Sequence, residues 1–112
     1  LTSKQFFTLQ QISKYEKIEL KNLSKDLYVS TSSLCILLNK MVAAGYVFRE
    51  EDPRDRRNTF YGITEDGRKV LKEEEIRITS TLVEHMSGFD EKFKKNLEKS
   101  LSVLVKTAEK LY

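Results

Sequence analysis

Cysteine is almost absent from this sequence, and that absence already limits the chemistry of the chain. Cys35 is the single cysteine, so no disulfide can form within the chain, which fits a reducing compartment. His85 is the single histidine and has neither a second histidine nor a CxxC pair to complete a zinc site. We therefore expect no metal site.

Long apolar runs are missing as well. Uninterrupted apolar stretches extend over only a few residues, whereas about 20 are needed to cross a bilayer, so we expect no membrane segment. No leader of the secretory type opens the sequence, and the expected location is the cytoplasm. The sequence does not begin with methionine and opens directly on a helix-cap residue, from which we expect a preceding segment.

Sequence motifs of catalysis are not found either. The four glycines are scattered, and none of them belongs to a phosphate-binding loop. The sequence contains no constellation of nucleophile and base and no spacing typical of metal ligands. These absences predict a protein that is not an enzyme and that carries no cofactor.

Charge is nearly balanced over the chain, but arginine is concentrated. Twenty basic and 17 acidic residues give a net charge of +3, a weak preference for polyanions. Four of the six arginines lie within nine residues, namely Arg49, Arg54, Arg56 and Arg57. Charge alone leaves two interpretations of this run open, a solvated loop and a binding surface.

Hydrophobic periodicity predicts a mainly helical first half. Thr2 and Gln5 have the spacing of a capping box for a helix that ends near Ser13. A short extended piece is expected at residues 18–20, and leucines repeat at helical spacing through residues 20–27. Two helices before a tight turn are therefore predicted.

A third helix is predicted from Ser30, a natural N-cap, to Gly45, a natural C-terminal stop. Its apolar residues share one face, which comprises Leu34, Leu37, Leu38, Met41 and Val42. The other side chains are mostly small or polar, as suits a helix that contacts base edges and phosphates. They are Thr31, Ser32, Ser33, Cys35, Ile36, Asn39, Lys40 and Ala43. The alternative is an ordinary solvated face.

A β-hairpin is predicted next, because two β-rich runs at residues 46–48 and 59–63 flank a polar connector at residues 50–58. Thr64 is expected to cap a long helix that breaks at Ser87-Gly88, and Asp90 to cap a last helix. Apolar residues of that last helix recur every three or four positions, at Phe93, Leu97, Leu101, Leu104, Ala108 and Leu111. This order of elements predicts a winged helix-turn-helix whose third helix enters the major groove.

The hairpin tip is the most specific stretch of the chain. A narrow tip that carries guanidinium groups suits the negative potential of a minor groove. Asp55 is expected to hold Arg57 in a bidentate pair that orients the tip. The alternative interpretation is a surface salt bridge of little energetic weight.

These motifs resemble those of the MarR family of transcriptional regulators over nearly the whole chain. The stretches that carry the resemblance are Asp52-Pro53-Arg54-Asp55-Arg56-Arg57, Ile63-Thr64-Glu65-Asp66-Gly67, Leu1-Thr2-x-x-Gln5-Phe6, Leu23…Leu27-x-Val29-Ser30 and Ala44-Gly45-Tyr46-Val47. The resemblance implies a homodimer that binds pseudo-palindromic operators, usually as a repressor. It also implies Arg57, paired with Asp55, as the minor-groove arginine and residues 31–40 as the recognition surface.

The sequence departs from the family pattern in three places. Tyr28 occupies a turn position that is commonly glycine, and Cys35 and Ile36 stand where threonine and arginine are frequent. Two interpretations of Cys35 and Ile36 are open: these side chains contact a thymine methyl group, or the helix contacts few bases. The family's first helix, which forms much of its dimer interface, is absent from this sequence.

The prediction is therefore an α+β protein, mainly helical with a small β-hairpin wing. A winged helix-turn-helix is expected at residues 1–67 and two dimerisation helices at residues 68–112. The apolar face of the last helix needs a partner, and a second copy would place two recognition helices about one DNA turn apart. The alternatives are that this face packs on its own domain or on the missing helix.

The predicted function is sequence-specific binding of double-stranded DNA by a homodimeric repressor, with release by a small-molecule effector bound between the wing domains and the helical base. Expected DNA contacts are Ser30, Thr31, Ser32, Ser33, Cys35, Ile36, Asn39 and Lys40 on the helix and Arg54, Asp55, Arg56 and Arg57 on the wing. Expected dimer contacts are Phe93, Leu97, Leu101, Leu104, Ala108 and Leu111. The alternative function is a protein interaction module that places its arginines on an acidic partner.

Overall fold

The computed structural model describes residues 1–86 and 91–111. It contains the helices and strands α1 (Ser3–Ile12), β1 (Ile18–Glu19), α2 (Leu20–Leu27), α3 (Thr31–Ala43), β2 (Val47–Glu51), β3 (Thr59–Ile63), α4 (Glu65–His85) and α5 (Glu91–Leu111). The predicted fold class, mainly α with a small β-hairpin wing, is confirmed. The predicted helix break at Ser87-Gly88, the predicted cap Asp90 and the side chain of Leu111 lie outside the described residues.

Packing divides the chain into two units, Leu1–Ile76 and Arg77–Tyr112. The first unit holds α1 to β3 and the beginning of α4, and the second holds the rest of α4 and α5. The prediction of a DNA-binding part at residues 1–67 and of dimerisation helices at residues 68–112 concerns the roles of the two parts and stays a prediction.

The first helix begins as the sequence indicates. The backbone N–H of Gln5 donates to Thr2 Oγ1 at 3.1 Å, and the backbone N–H of Thr2 donates to Gln5 Oε1 at 3.0 Å. This reciprocal pair satisfies two donors that a helix start leaves without partners. The predicted capping box and the predicted end near Ser13 are confirmed.

The three strands form one antiparallel sheet in the order β1-β3-β2. Strand β2 ends at Glu51, three residues beyond the predicted run, because Glu50 pairs with Phe60 and Glu51 pairs with Thr59. Placing these two glutamates in the connector was therefore wrong. The ladder extends until the N–H of Asp52 donates to the carbonyl of Asn58 at 3.0 Å, and the connector comprises residues 52–58.

The core of the first unit lies where the first three helices meet the sheet. Its fully buried side chains are Leu9, Ile12, Leu23, Leu34, Leu38 and Met41. Among the described residues, every buried side-chain nitrogen or oxygen has a hydrogen-bond partner. This satisfied core holds α3 and the wing in place.

Candidate nucleic-acid interface

The turn between α2 and α3 is closed by backbone hydrogen bonds in the Schellman pattern. The N–H of Tyr28 donates to the carbonyl of Lys25 at 3.3 Å, and that of Val29 donates to the carbonyl of Ser24 at 3.2 Å. Ser24 Oγ also donates to the carbonyl of Val29 at 2.5 Å. Tyr28 takes the left-handed position, with φ 55° and ψ 41°, that glycine usually fills in this motif.

Helix α3 begins at Thr31 and is capped by Ser30, as predicted. Ser30 Oγ accepts from the backbone N–H of Ser33 at 3.2 Å and donates to Ser33 Oγ at 3.0 Å. Leu34, Leu38 and Met41 are buried, which confirms the apolar stripe that fixes the rotation of the helix. The opposite face is therefore turned to solvent.

The residues predicted to contact DNA lie on that helix, and most of them are exposed. The exposed ones are Ser30, Thr31, Ser32, Ser33, Ile36, Asn39 and Lys40. Ile36 is 63% exposed, which is unusual for an isoleucine. Cys35 is half-buried. The pKa of the buried Tyr61 is raised mainly by burial, and an electrostatic interaction with Cys35 adds to this rise.

The wing tip is fixed by hydrogen bonds within residues 52–58. The N–H of Asn58 donates to the carbonyl of Asp55 at 3.0 Å, which closes a turn around the last two arginines. The carboxylate of Asp52 accepts from the N–H of Arg54 at 2.9 Å, and that of Asp55 accepts from the N–H of Arg57 at 3.0 Å. Two aspartates thus shape the loop from inside, in the way Asx turns do.

Asp55 also binds the side chain of Arg57 in the bidentate manner that the sequence predicts. Arg57 Nε donates to Oδ1 at 3.1 Å and Nη2 donates to Oδ2 at 3.3 Å. The Arg57 side chain is 90% exposed and that of Asp55 is 36% exposed. The side-chain hydrogen bonds from Arg57, followed by the one from its backbone, lower the pKa of Asp55. Asp55 therefore fixes the orientation of the exposed Arg57 guanidinium at the surface.

The base of the wing is held by Lys17, a residue that the sequence patterns do not single out. Its Nζ lies 3.0 Å from Glu50 Oε2 on β2 and 5.1 Å from the centre of the Phe60 ring on β3. Lys17 directly precedes β1, so its contacts join this short strand to the β2–β3 hairpin. Both interactions are partly exposed and contribute modestly.

The start of α4 is joined to the end of α3, and this junction positions the wing. Thr64 Oγ1 donates to the carbonyl of Gly45 at 2.6 Å and accepts from the N–H of Gly67 at 3.0 Å, which confirms Thr64 as a cap. The N–H of Thr64 donates to the carbonyl of Tyr46 at 3.1 Å. Thr64 thus joins the end of α3, both ends of the hairpin and the start of α4.

Asp26 makes a second set of long-range contacts that the sequence patterns do not predict. Asp26 on α2 accepts hydrogen bonds from Gln11 Nε2 at 3.0 Å and from the Tyr15 hydroxyl at 3.1 Å. The hydrogen bond to Asp26 is the main cause of the raised pKa of Tyr15. These contacts fix α1 against the helix that precedes the turn.

In the second unit, α5 presents much of its apolar face to solvent. Of the predicted dimer contacts, Phe93, Leu101, Leu104 and Ala108 are exposed and Leu97 is half-buried. Val103 and Val105 add exposed apolar surface that the prediction did not include. A solvent-exposed face of this kind is typical of an interaction surface.

Metal clusters and membrane-spanning helices are not found in the part of the chain that the structure describes. Within residues 1–86 and 91–111, no group of three or more His, Cys, Asp or Glu side chains is placed to hold a metal ion. None of the described helices has both the length and the apolar character needed to cross a bilayer.

Known proteins with similar sequences are regulators of transcription. The organic hydroperoxide resistance transcriptional regulator of Bacillus subtilis is 28% identical over 109 residues, covering 96% of this chain and 71% of that protein. The HTH-type transcriptional regulator SarZ of Staphylococcus haemolyticus is 34% identical over 67 residues, covering 60% of this chain and 46% of SarZ. The chain thus spans less than half of the SarZ protein.

Similarity of fold extends over the whole chain. The crystal structure of Streptococcus pneumoniae FabT in complex with DNA matches with a TM-score of 0.67 at 23% identity, covering 100% of this chain and 78% of FabT. The family model described as MarR family matches residues 1–59, more than half of the sequence. The chain therefore belongs to the MarR family of winged-helix, DNA-binding transcriptional regulators.

Proposed function

We propose that two copies of this chain bind a pseudo-palindromic operator and repress transcription. In this proposal α3 enters the major groove and the wing tip enters the adjacent minor groove. The observation that carries it is the Arg57 guanidinium, which Asp55 holds at an exposed tip. FabT of Streptococcus pneumoniae, which has a similar fold, was crystallised in complex with DNA, and this supports DNA binding by the present chain.

The geometry of the pair suits a minor-groove contact. Arginine has five N–H donors, and Asp55 engages one at Nε and one at Nη2, so three are left for DNA. A narrow minor groove concentrates negative potential and attracts such a group. Because Asp55 already orders the side chain, less rotamer entropy is lost when DNA binds.

The homodimer is proposed on the exposed apolar face of α5. A symmetric pair buries such a face twice with a single type of contact. The cytoplasm is the proposed location, because the operator lies on the chromosome. Release by a small-molecule effector is proposed on family membership alone.

Binding to duplex DNA tests the proposal directly. A duplex selected by the wild type from a random pool is labelled, and its affinity is measured by fluorescence anisotropy across a salt series. We expect log K to fall linearly with log salt, by about 0.9 per phosphate neutralised. Arg57→Ala should weaken binding by about 10- to 100-fold. Its thermal unfolding should be unchanged, because the Arg57 side chain is 90% exposed.

Arg68→Ala is the matched control, since Arg68 is an exposed arginine on α4 outside the wing. It should retain the affinity of the wild type. Equal affinity of Arg57→Ala and the wild type would overturn the role of the wing. Failure of the wild type to bind any duplex at low salt would overturn DNA binding and favour an acidic protein partner.

A further inference from the structure

Arg49 is the member of the arginine run to which the proposed function assigns no role. It lies on β2, away from the wing tip, and its cross-strand partner on β3 is Tyr61. Directly paired residues of an antiparallel sheet have their side chains on the same face. Arg49 is exposed, whereas Tyr61 is only 2% exposed. This face of the sheet therefore passes from core to solvent at Arg49.

The face of the sheet that carries Arg49 is the one turned to the core and to α3. Val47, two positions before Arg49 and so on the same face, is buried together with its cross-strand partner Ile63. Burial, followed by an electrostatic interaction with Cys35 on α3, raises the pKa of Tyr61. The charge of Arg49 and a hydrogen bond from its side chain act on that pKa in the opposite direction. Tyr61 is thus close to both, and Arg49 lies between the wing and the first half of α3.

The position between α3 and the wing suits a contact with the DNA backbone. In the proposed complex α3 and the wing tip enter adjacent grooves, and one sugar-phosphate strand separates those grooves. A side chain between the two elements would therefore face phosphates rather than base edges. A guanidinium matches phosphate well, because its planar donors can engage two phosphate oxygens at once. Arginine has five N–H donors, so the interaction with Tyr61 leaves enough of them for such a contact.

We propose that Arg49 binds a phosphate of the strand between the major groove that α3 enters and the minor groove that the wing tip enters, and that Tyr61 positions its guanidinium. This inference rests on the proposed function and adds a contact to it. The contact carries no base information, but it sets the register and orientation of α3 and the wing on the duplex. Because Tyr61 is held in the core, Arg49 links the core of the first unit to the DNA backbone.

The test measures the affinity of full-chain variants for the wild-type-selected duplex and for a random duplex across the salt series. Arg49→Ala should lose affinity by about tenfold for both duplexes, the value of a hydrogen bond to a charged group. The slope of log K against log salt should become shallower by about 0.9 per subunit, because one phosphate is no longer neutralised. Tyr61→Phe keeps the buried ring and the charge of Arg49, so it should lose affinity by about threefold without a change of slope.

A neutral methylphosphonate, introduced at one position of the selected duplex at a time, locates the contact. The wild type should lose affinity at a position between the two grooves. Arg49→Ala should bind that modified duplex and the unmodified one equally. Arg49→Lys guards against a folding defect: it keeps the charge and should keep the salt slope, but it should bind more weakly, because lysine cannot make two parallel hydrogen bonds. If Arg49→Ala kept the methylphosphonate sensitivity of the wild type, Arg49 would have only a structural role and the proposal would be overturned.

Arg68→Ala is again the matched control, because it removes an exposed arginine from α4. It should retain both the affinity and the salt slope of the wild type. Wild-type affinity or an unchanged slope of Arg49→Ala would overturn the phosphate contact, and wild-type affinity of Tyr61→Phe would overturn the positioning role of Tyr61. If Arg57→Ala weakens binding while Arg49→Ala binds normally, this inference fails and the proposed function stands.

Discussion

The contact between α4 and the end of α3 leaves no room for a side chain at Gly67. A β-carbon at this position would overlap the carbonyl oxygen of Tyr46 and come within 2.8 Å of Ile63 Cγ1. The same Tyr46 oxygen accepts the hydrogen bond from the N–H of Thr64, 3.1 Å away. Gly67→Ala must therefore displace the backbone that joins α3 to the wing.

Opposing effects determine how much Gly67→Ala changes the free energy of unfolding. Replacing a helical glycine by alanine stabilises the helix by about 1 kcal/mol. Overpacking a tight contact costs about 1–3 kcal/mol, and weakening the Thr64 hydrogen bond costs a further 0.5–1.5 kcal/mol or so. The losses outweigh the gain, and we expect a net destabilisation of about 2 kcal/mol. For a chain of this size that lowers Tm by roughly 10 °C.

The assay is unfolding by heat and by urea, followed by far-UV circular dichroism. One fixed protein concentration is used, because the proposed dimerisation would add to apparent stability. Gly45→Ala is the control. Gly45 has φ 84°, and apart from Gly45 and its two chain neighbours no described residue has an atom within 4 Å of an added β-carbon, so its substitution brings backbone strain without a clash. The expected order of stability is wild type, then Gly45→Ala, then Gly67→Ala. A Gly67→Ala variant as stable as the wild type would refute the close approach.

Three further predictions concern charge, base contact and assembly. Because Arg57 lowers the pKa of Asp55, the ion pair is complete above the ordinary aspartate pKa and is lost as pH falls through the lowered value. In an NMR titration, Arg57→Ala should raise the pKa of Asp55. An unchanged pKa would contradict the pairing. If Ile36 meets a thymine methyl, replacing that thymine by uracil should weaken wild-type binding by about fourfold, whereas Ile36→Ala should bind both duplexes equally. If the proposed dimer forms through α5, Leu104→Glu should dissociate it in sedimentation experiments, whereas Ser102→Glu, which lies off the apolar face, should not. A dimeric Leu104→Glu variant argues against α5 as the interface.

The features that the sequence predicts correctly depend on neighbouring residues. Thr2 with Gln5, Ser30 with Ser33, and Thr64 with Gly67 are each cap interactions across three positions. The Asp55–Arg57 pair spans only two. Cap and turn chemistry of this kind is readable without knowledge of the fold, because the partners are fixed by local geometry.

The features that it does not predict join distant parts of the chain. Lys17 contacts Glu50, which is 33 positions away, and Asp26 accepts from Gln11, which is 15 positions away. The extended piece at β1 is predictable as a strand, but its pairing with β3 rather than β2 depends on how the helices pack. Gly67 looks like an ordinary helix residue until Tyr46 is placed against it.

The distribution of charge between α3 and the wing suggests how affinity and specificity divide in the proposed complex. The sequence of α3 contains one cation, Lys40, whereas the wing tip contains three arginines. Each neutralised phosphate contributes about 0.9 to the slope of log K against log salt. The three arginines of the tip therefore contribute up to roughly 2.7 to this slope per subunit, and Lys40 of α3 contributes roughly 0.9. Loss of Arg54 or Arg56 should therefore weaken binding to every sequence alike. Arg57 in the minor groove and the neutral side chains of α3, Ile36 among them, should govern which sequence is preferred.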